Sequence, residues 1–224
     1  MVNLSLEKFQ RDLGIKFKDL SLLRQALTHR SADKRNNERL EFLGDAILGM
    51  VIAEILFKML PNVDEGGLSR YRSSLVRKET LAEIAREYGF SEVIILGVGE
   101  LRSGGARHDS ILADAFEAVL GALFLEQGDT IAKDFLKNVY RERLNNLPSL
   151  DSLKDYKTRL QEWLQNRKMA LPTYEIISET TVHPQSFEIK CSISELDISV
   201  IDRASSRRKA EQKTAEIIFN KVVS

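Results

Sequence analysis

The chain has 224 residues, of which 33 are basic, 33 are acidic and 43% are hydrophobic, so its formal net charge at pH 7 is zero. These proportions are typical of a globular protein and exclude a highly charged disordered chain. They give no overall sign of nucleic acid binding, so any basic surface must be local.

Three features of the sequence bear on the compartment. The only cysteine, Cys191, excludes an intrachain disulfide and suits a reducing environment. The amino terminus carries charge too early for the apolar core of a signal peptide. The most apolar run, residues 46–57, contains Glu54 and is shorter than the roughly 20 residues of a membrane span. We expect a soluble, cytoplasmic protein with no membrane partner.

Helical periodicity predominates in the first two thirds of the chain. Asp19 is suited to cap a short helix, and a long helix is expected from about Asn37 to Met59, ending before Pro61. At 1.5 Å per residue this helix is roughly 33 Å long, about the width of a small domain. It is the natural central element.

Further helical patterns follow it, separated by a glycine-rich segment. They predict helices over residues 68–76 and 80–88, an irregular loop over 94–105, a strongly apolar helix over 111–124 and a last helix over 129–146. Asp109 or Ser110 is suited to cap the apolar helix, and Asp129 the last one. No convincing strand precedes residue 148, which predicts an all-α domain over residues 1–148.

The pattern changes after a short segment with the composition of a linker, residues 149–153. An amphipathic helix over residues 155–166 is followed by alternating runs at 173–179, 186–192 and 196–201. Ser205 or Ser206 is suited to cap a final helix. Residues 154–224 therefore predict a small α+β domain in the order helix, three antiparallel strands, helix.

Acidic side chains stand where apolar residues would pack better. Glu38, Glu41 and Asp45 lie at steps of three and four on one face of the long helix, and Asp114 and Glu117 are three apart on the apolar helix. A further acid, Glu65, lies in a turn just past the long helix.

A single acidic residue on a helix is ordinarily a solvated surface residue. Two apolar helices that both carry acids favour a carboxylate site for a divalent cation, and oxygen ligands without His or Cys favour Mg²⁺ or Mn²⁺ over zinc. His29 is better suited to a structural hydrogen bond than to metal ligation.

Asn37–Asp45 resembles the nine-residue signature of the ribonuclease III family, endonucleases that cut double-stranded RNA. Further segments follow the family's order: Thr28–Ser31, Val63–Gly66, Ser103–Gly105 and Ser110–Ala118. The last seventy or so residues resemble the family's double-stranded RNA-binding domain. The resemblance covers nearly the whole chain. It implies an all-α endonuclease domain followed by a small α+β RNA-binding domain.

The resemblance also implies roles for individual residues, position by position. The metal-binding acids would be Glu41, Asp45, Asp114 and Glu117, with the most direct catalytic weight on Asp45 and Glu117. Glu38 and Glu65 would support the substrate cleft, and Phe42, which lies off the acidic stripe, would belong to a homodimer interface.

The implied reaction is hydrolysis to 5′-phosphate and 3′-hydroxyl ends by a two-metal mechanism. Mg²⁺ would be the cofactor, with Mn²⁺ as a substitute. The implied substrates are precursors of ribosomal and other RNAs.

The implied RNA contacts lie at three places in the second domain: Gln161 and Glu162 on its first helix, His183 between the first two strands, and Arg207, Arg208 and Lys209 at the start of its last helix. By composition alone, the basic run is equally consistent with a solvated surface. The sequence departs from the family at Asp202–Ala204, where glycines are usual, and at Pro184, which follows His183.

Two other functions are compatible with parts of the sequence. A protein that binds duplex RNA without cutting it would be favoured by a missing acid, and none is missing. A metal phosphohydrolase acting on small molecules is disfavoured by the RNA-binding domain. The sequence therefore favours a double-stranded RNA endonuclease.

Overall fold

The computed structural model describes residues 2–180 and 184–223, with side chains from Leu6 onward. Its contacts divide the chain into two compact units, residues 1–147 and 148–224. The described part of the first unit is helical and contains no strand. Its helices are α1 (Val2–Asp12), α2 (Leu20–Ala26), α3 (Glu38–Met59), α4 (Glu65–Val76), α5 (Lys78–Glu87), α6 (Phe90–Val93), α7 (Val98–Arg102), α8 (Asp109–Gln127), α9 (Asp129–Val139) and α10 (Arg141–Asn145).

α3 is the long helix that the sequence predicts, and it spans 22 residues. Asn37 precedes it, and Leu60 follows it because Pro61 disfavours helix in the residue before it. Its buried residues are Leu40, Gly44, Ile47, Leu48, Val51, Ile52 and Leu56. Even this apolar helix lacks the properties of a membrane span, as do the other described helices.

α8 is the most enclosed helix of the first unit, because it packs against α2, α3, α5, α6 and α9. Phe116 lies near two other aromatic rings, with centroids 6.0 Å from Phe90 and 5.9 Å from Phe135. Such enclosure explains why the helix is apolar almost all round. Any acid on it is therefore placed near or within the core.

The backbones of α3 and α8 touch where two glycines face the other helix. A Cβ on Gly44 would lie 1.8 Å from the carbonyl oxygen of Glu117, and one on Gly121 would lie 2.3 Å from that of Leu40. Since real Cβ atoms are not found at such distances, only glycine permits this crossing. The contact brings the acidic segments of the two helices together.

Two predicted helix caps are wrong, and each predicted carboxylate pairs with a basic side chain instead, from α5 for Asp109 and from α9 itself for Asp129. His108 occupies the N-cap position of α8, and the Asp109 carboxylate pairs with Arg86. Asp129 is the first residue of α9 rather than its cap, and its carboxylate pairs with Lys133 at 2.9 Å.

Three other expectations for the first unit are corrected. The predicted last helix is divided into α9 and α10 at Tyr140, whose buried hydroxyl donates to the Leu75 carbonyl at 3.1 Å. The segment 94–105 contains the short helix α7, followed by a 3-10 turn at Gly105–Arg107, instead of being irregular throughout. Glu65 begins α4 instead of lying in the turn.

The second unit confirms the predicted order of helix, three antiparallel strands and helix. Its elements are α11 (Tyr156–Asn166), β1 (Thr173–Thr180), β2 (Ser186–Ile193), β3 (Ile198–Ala204) and α12 (Arg207–Val223), after a 3-10 turn at Leu150–Leu153. β3 begins two residues later than predicted because Ser194–Leu196 forms another 3-10 turn.

One face of this sheet is covered by α11 and α12. The core between them contains Leu160, Leu164, Cys191, Ile193, Ala215 and Ile218. Asp155 caps α11 by accepting from the Thr158 amide at 2.9 Å, and Ser206, one of the two predicted candidates, caps α12 by accepting from the Lys209 amide at 3.3 Å. The two helices are thus fixed side by side on the sheet.

The glycine crossing predicts a large effect for one methyl group. We expect Gly44→Ala to lower the free energy of unfolding by about 3 kcal/mol or more, because the Glu117 backbone cannot move aside cheaply. The matched control is Gly49→Ala on the same helix, where a Cβ meets no atom within 4 Å. It should change stability by less than about 1 kcal/mol. Equal stability of the two variants in chemical denaturation would contradict the crossing.

Candidate functional site

Three acids from α3 and α8 converge. Glu41, Asp114 and Glu117, called here the three-acid cluster, each offer a carboxylate oxygen, and these oxygens all lie within 4.8 Å of one another. The convergence has a local and a tertiary cause. Helical spacing places Asp114 and Glu117 on one face of α8, and the glycine crossing brings Glu41 of α3 to that face.

The cluster is electrostatically unfavourable without a cation. Burial is the main reason that the pKa of the Glu117 carboxyl rises to about 8, and three nearby carboxylates contribute: Asp45, Asp114 and Glu41. Burial also raises the pKa values of Glu41 and Asp114. Among the described residues, no ion pair neutralises any member of the cluster.

These donors fit a divalent cation. Carboxylate oxygens without nitrogen or sulfur are the ligands preferred by Mg²⁺ and Mn²⁺, and a cation would relieve the repulsion that raises the pKa of Glu117. Asp45 stands apart from the three-acid cluster. It is exposed, although its charge acts on both Glu41 and Glu117.

Two members of the cluster open onto a cleft of about 580 Å³. Its walls include Glu41 and Asp114 together with His29, Arg30, Ser31, Asn37, Glu38, Glu100, His108, Ser110 and Ile111. Glu100 and His108 were not predicted as site residues from the sequence. The only indication of them in the sequence is that they lie beside the segments Ser103–Gly105 and Ser110–Ala118, which resemble family segments.

Cationic and donor groups also face this cleft. The His29 imidazole forms the predicted hydrogen bond, with Nδ1 2.8 Å from Ser31 Oγ, and its charge acts to lower the pKa of Asp114 against the effect of burial. Asn37 is only 2% exposed, and its amide nitrogen has no acceptor among the described residues. The cleft thus offers donors beside a carboxylate cluster.

The two expected cleft acids lie in different places within one chain. Glu38 lines the cleft and is 3.6 Å from Arg30. Glu65 accepts from Ser69 at 2.9 Å and lines a separate, mostly apolar cavity with Phe57. The structure does not bring these two carboxylates together.

α3 also carries an exposed apolar stripe. Phe42, Met50 and Phe57 are 80%, 51% and 71% exposed, and their spacing of eight and seven residues places them on one face. Exposed large apolar side chains arranged in a contiguous row usually mark an interaction surface. Phe42, the expected interface residue, is the most exposed of the three.

In the second unit, the expected RNA contacts lie mainly at helix surfaces. Gln161 is exposed on α11, and the first turn of α12 presents Arg207, Arg208 and Lys209, all exposed. Glu162 is not free: its carboxylate accepts from Lys154 at 2.7 Å. His183 lies outside the described residues.

The departing segment Asp202–Ala204 forms the end of β3. There Arg203 pairs with Glu188 at 3.2 Å, and the Asp202 carboxylate accepts from the Arg203 amide at 2.6 Å. The charged groups of Asp202 and Arg203 therefore both have protein partners at the end of β3.

The sequence matches two family models. The first, Ribonuclease-III-like, covers residues 19–144, and the second, the double-stranded RNA binding motif, covers residues 156–222. Together they span the three-acid cluster and the basic start of α12.

Individual relatives agree with these matches. Ribonuclease 3 of Aliivibrio fischeri is 48% identical over 222 residues, covering 99% of this chain and all of the relative. Ribonuclease 3 of Vibrio vulnificus is 47% identical over 224 residues, covering both chains completely. The solved nuclease domain of ribonuclease III from Campylobacter jejuni is 42% identical, with a TM-score of 0.61, and covers 63% of this chain and 99% of that domain. The chain therefore belongs to the ribonuclease III family.

Proposed function

We propose that the protein is an endonuclease that hydrolyses double-stranded RNA to 5′-phosphate and 3′-hydroxyl ends. The observation that carries the proposal is the convergence of Glu41, Asp114 and Glu117 beside an open cleft. In this proposal residues 1–148 form the nuclease domain, 149–153 the linker and 154–224 the RNA-binding domain. The proposed cofactor is Mg²⁺, with Mn²⁺ as a substitute, because both prefer oxygen ligands.

A pair of such ions would supply activation of a water molecule and stabilisation of the departing 3′ oxygen. The acidic residues have distinct proposed roles. Glu41, Asp114 and Glu117 hold the ions, and Glu117 must lose its proton to do so because its pKa is about 8. Asp45, exposed next to the cluster, completes the set of four acids and is proposed to act with Glu117 nearest the chemistry.

Other groups of the cleft are suited to hold the RNA backbone. The buried amide nitrogen of Asn37 lacks an acceptor, and a phosphate oxygen would supply one. Arg30 is exposed at the cleft and paired with Glu38, so a phosphate competes with this carboxylate for the guanidinium. Glu38 is thereby proposed to set the geometry of the cleft rather than to act on the phosphodiester.

We further propose that the active form is a homodimer joined through the α3 stripe of Phe42, Met50 and Phe57. The Campylobacter jejuni nuclease domain is described as having a region involved in dimer formation. A two-fold axis makes each patch meet its own copy and places two clusters on opposite strands of a duplex. Staggered cleavage of both strands follows from that geometry.

The proposed substrates are structured precursors of ribosomal and other RNAs, processed in the cytoplasm. Cys191 is a free, buried thiol, which agrees with a reducing compartment. A binding protein that does not cut RNA would have no use for three converging acids, since their mutual repulsion destabilises the fold.

Replacing one acid separates cleavage from binding. We expect Glu117→Gln to lower cleavage of a long RNA duplex in Mg²⁺ by about a thousandfold or more, as loss of a transition-state charge partner does. Duplex affinity measured in EDTA should change less than twofold. The control is Glu79→Gln, an exposed acid of α5 that should cut normally. Normal cleavage by Glu117→Gln would remove the cluster from the mechanism.

The dimer is tested by charging the apolar stripe. Phe42→Asp should shift the sedimenting species from a dimer to a monomer of 25.4 kDa, because a charge cannot be buried unpaired at a symmetric contact. Ile201→Asp makes the same change at an exposed side chain of the second unit and should leave the dimer intact. A Phe42→Asp protein that still sediments as a dimer would place the interface elsewhere.

A further inference from the structure

A buried carboxylate joins the two helices of the second unit. Glu211 on α12 is 8% exposed, and acids are almost never buried unless they are paired. One of its oxygens accepts from Lys157 Nζ of α11 at 2.6 Å, and the other accepts from Arg207 Nε of α12 at 2.8 Å. Glu211 therefore links a cation from each helix.

The next residue strengthens the same joint. Gln212 accepts from the Lys157 backbone amide at 3.3 Å and also hydrogen-bonds the carboxylate of Asp155, the cap of α11. The Lys157 ammonium is held from a further side, 4.5 Å above the centre of the Tyr174 ring on β1. The amino-terminal end of α11 is thus fastened to the first turns of α12.

The charges show that this joint is well satisfied. Burial acts to raise the pKa of Glu211, but the hydrogen bonds and charges of Lys157 and Arg207 outweigh it, so the pKa is lowered overall. Two cations share one anion, which leaves the joint with net positive charge. Arg207 uses Nε for Glu211, and its side chain remains 59% exposed, so its terminal nitrogens are available to a phosphate.

We infer that Glu211 is a positioning residue for duplex RNA binding, which holds Arg207 in place and fixes the spacing of α11 and α12. The inference rests on the RNA binding of the proposed function. Double-stranded RNA is recognised by shape, through contacts spread over two minor grooves and the phosphates between them. A domain that recognises RNA in this way needs its contact groups at a fixed separation. Glu211 supplies a rigid connection between the two helices that carry these groups.

The alternative role for a buried acid beside two cations is to mask their charge, and the two roles predict opposite results. Glu211→Gln keeps the shape and removes the charge. If Glu211 positions Arg207, the variant binds RNA about tenfold more weakly, and the slope of log affinity against log salt becomes flatter by about one, as for one lost phosphate contact. If Glu211 masks charge, the variant binds more tightly and with a steeper slope.

The experiment uses the full chain and a long RNA duplex in EDTA, so that binding is measured without cleavage. Glu216→Gln, on the same helix, is the control for loss of one negative charge and should bind like the unmodified protein. In an Arg207→Ala background, Glu211→Gln should have a much smaller effect, because the group it positions is gone. Glu211→Asp keeps the charge and should restore part of the affinity.

Three outcomes overturn the inference: unchanged binding by Glu211→Gln, tighter binding, or an equal loss with and without Arg207. Should Glu211→Gln unfold the second unit, the unmodified protein still tests the idea by NMR. The Arg207 Nε–H should exchange slowly with solvent, and fast exchange would show that Glu211 does not hold it. Failure of the unmodified protein to bind the duplex would instead overturn the proposed function.

Discussion

The structure of the nuclease unit depends on the contact between the backbones of α3 and α8 at Gly44 and Gly121. Each helix alone carries acids that solvent would accept. Their contact removes water from between the helices and places Glu41 beside Asp114 and Glu117, so that burial raises the pKa values of all three. The same close packing that makes the core therefore creates the demand for a cation.

The two units solve the problem of a buried acid in different ways. In the second unit, Glu211 has Lys157 and Arg207 as partners, and its pKa is lowered despite burial. In the first unit, Glu117 is buried without a cationic partner among the described residues, and burial together with the charges of Asp45, Asp114 and Glu41 raises its pKa to about 8. A buried charge with its own counter-ions fixes structure, whereas one without them is suited to bind an external cation. The pKa shifts of these two buried acids therefore run in opposite directions, downward for Glu211 with its counter-ions and upward for Glu117 without them.

Much of the fold could be predicted because its signals are local. The apolar periods of α3 and of the strands lie in consecutive residues, and the caps Asp19 and Ser206 bond to amides two and three residues on. The wrong cap at α8 depends on a distant partner, because Asp109 pairs with Arg86 of α5 instead of capping. The division at Tyr140, whose hydroxyl bonds to Leu75 65 residues away, was likewise not predicted. Contacts between distant residues produce no periodic pattern in the sequence, so they could not be predicted from it.

The candidate site, like the fold, could be predicted where its signals are local and not where it depends on tertiary contacts. Steps of three and four predicted which acids share a helix face, and the resemblance supplied their roles. Neither could show that Asp45 is exposed while Glu41 converges with α8, nor that Glu65 lines another cavity than Glu38. Glu100 and His108 reach the cleft only through the fold of the loop before α8.

The most direct test of the account is proton release on metal binding, measured by isothermal titration of Mg²⁺ at pH 7 in two buffers that differ in protonation enthalpy. A carboxyl with a pKa of about 8 is mostly protonated at pH 7, and a bound cation needs the carboxylate. We predict that Mg²⁺ binding releases protons, that the affinity rises with pH up to about 8, and that Glu117→Gln loses the proton signal. Binding of Mg²⁺ with no proton release, or with a release that Glu117→Gln leaves unchanged, would contradict a metal site built on this cluster.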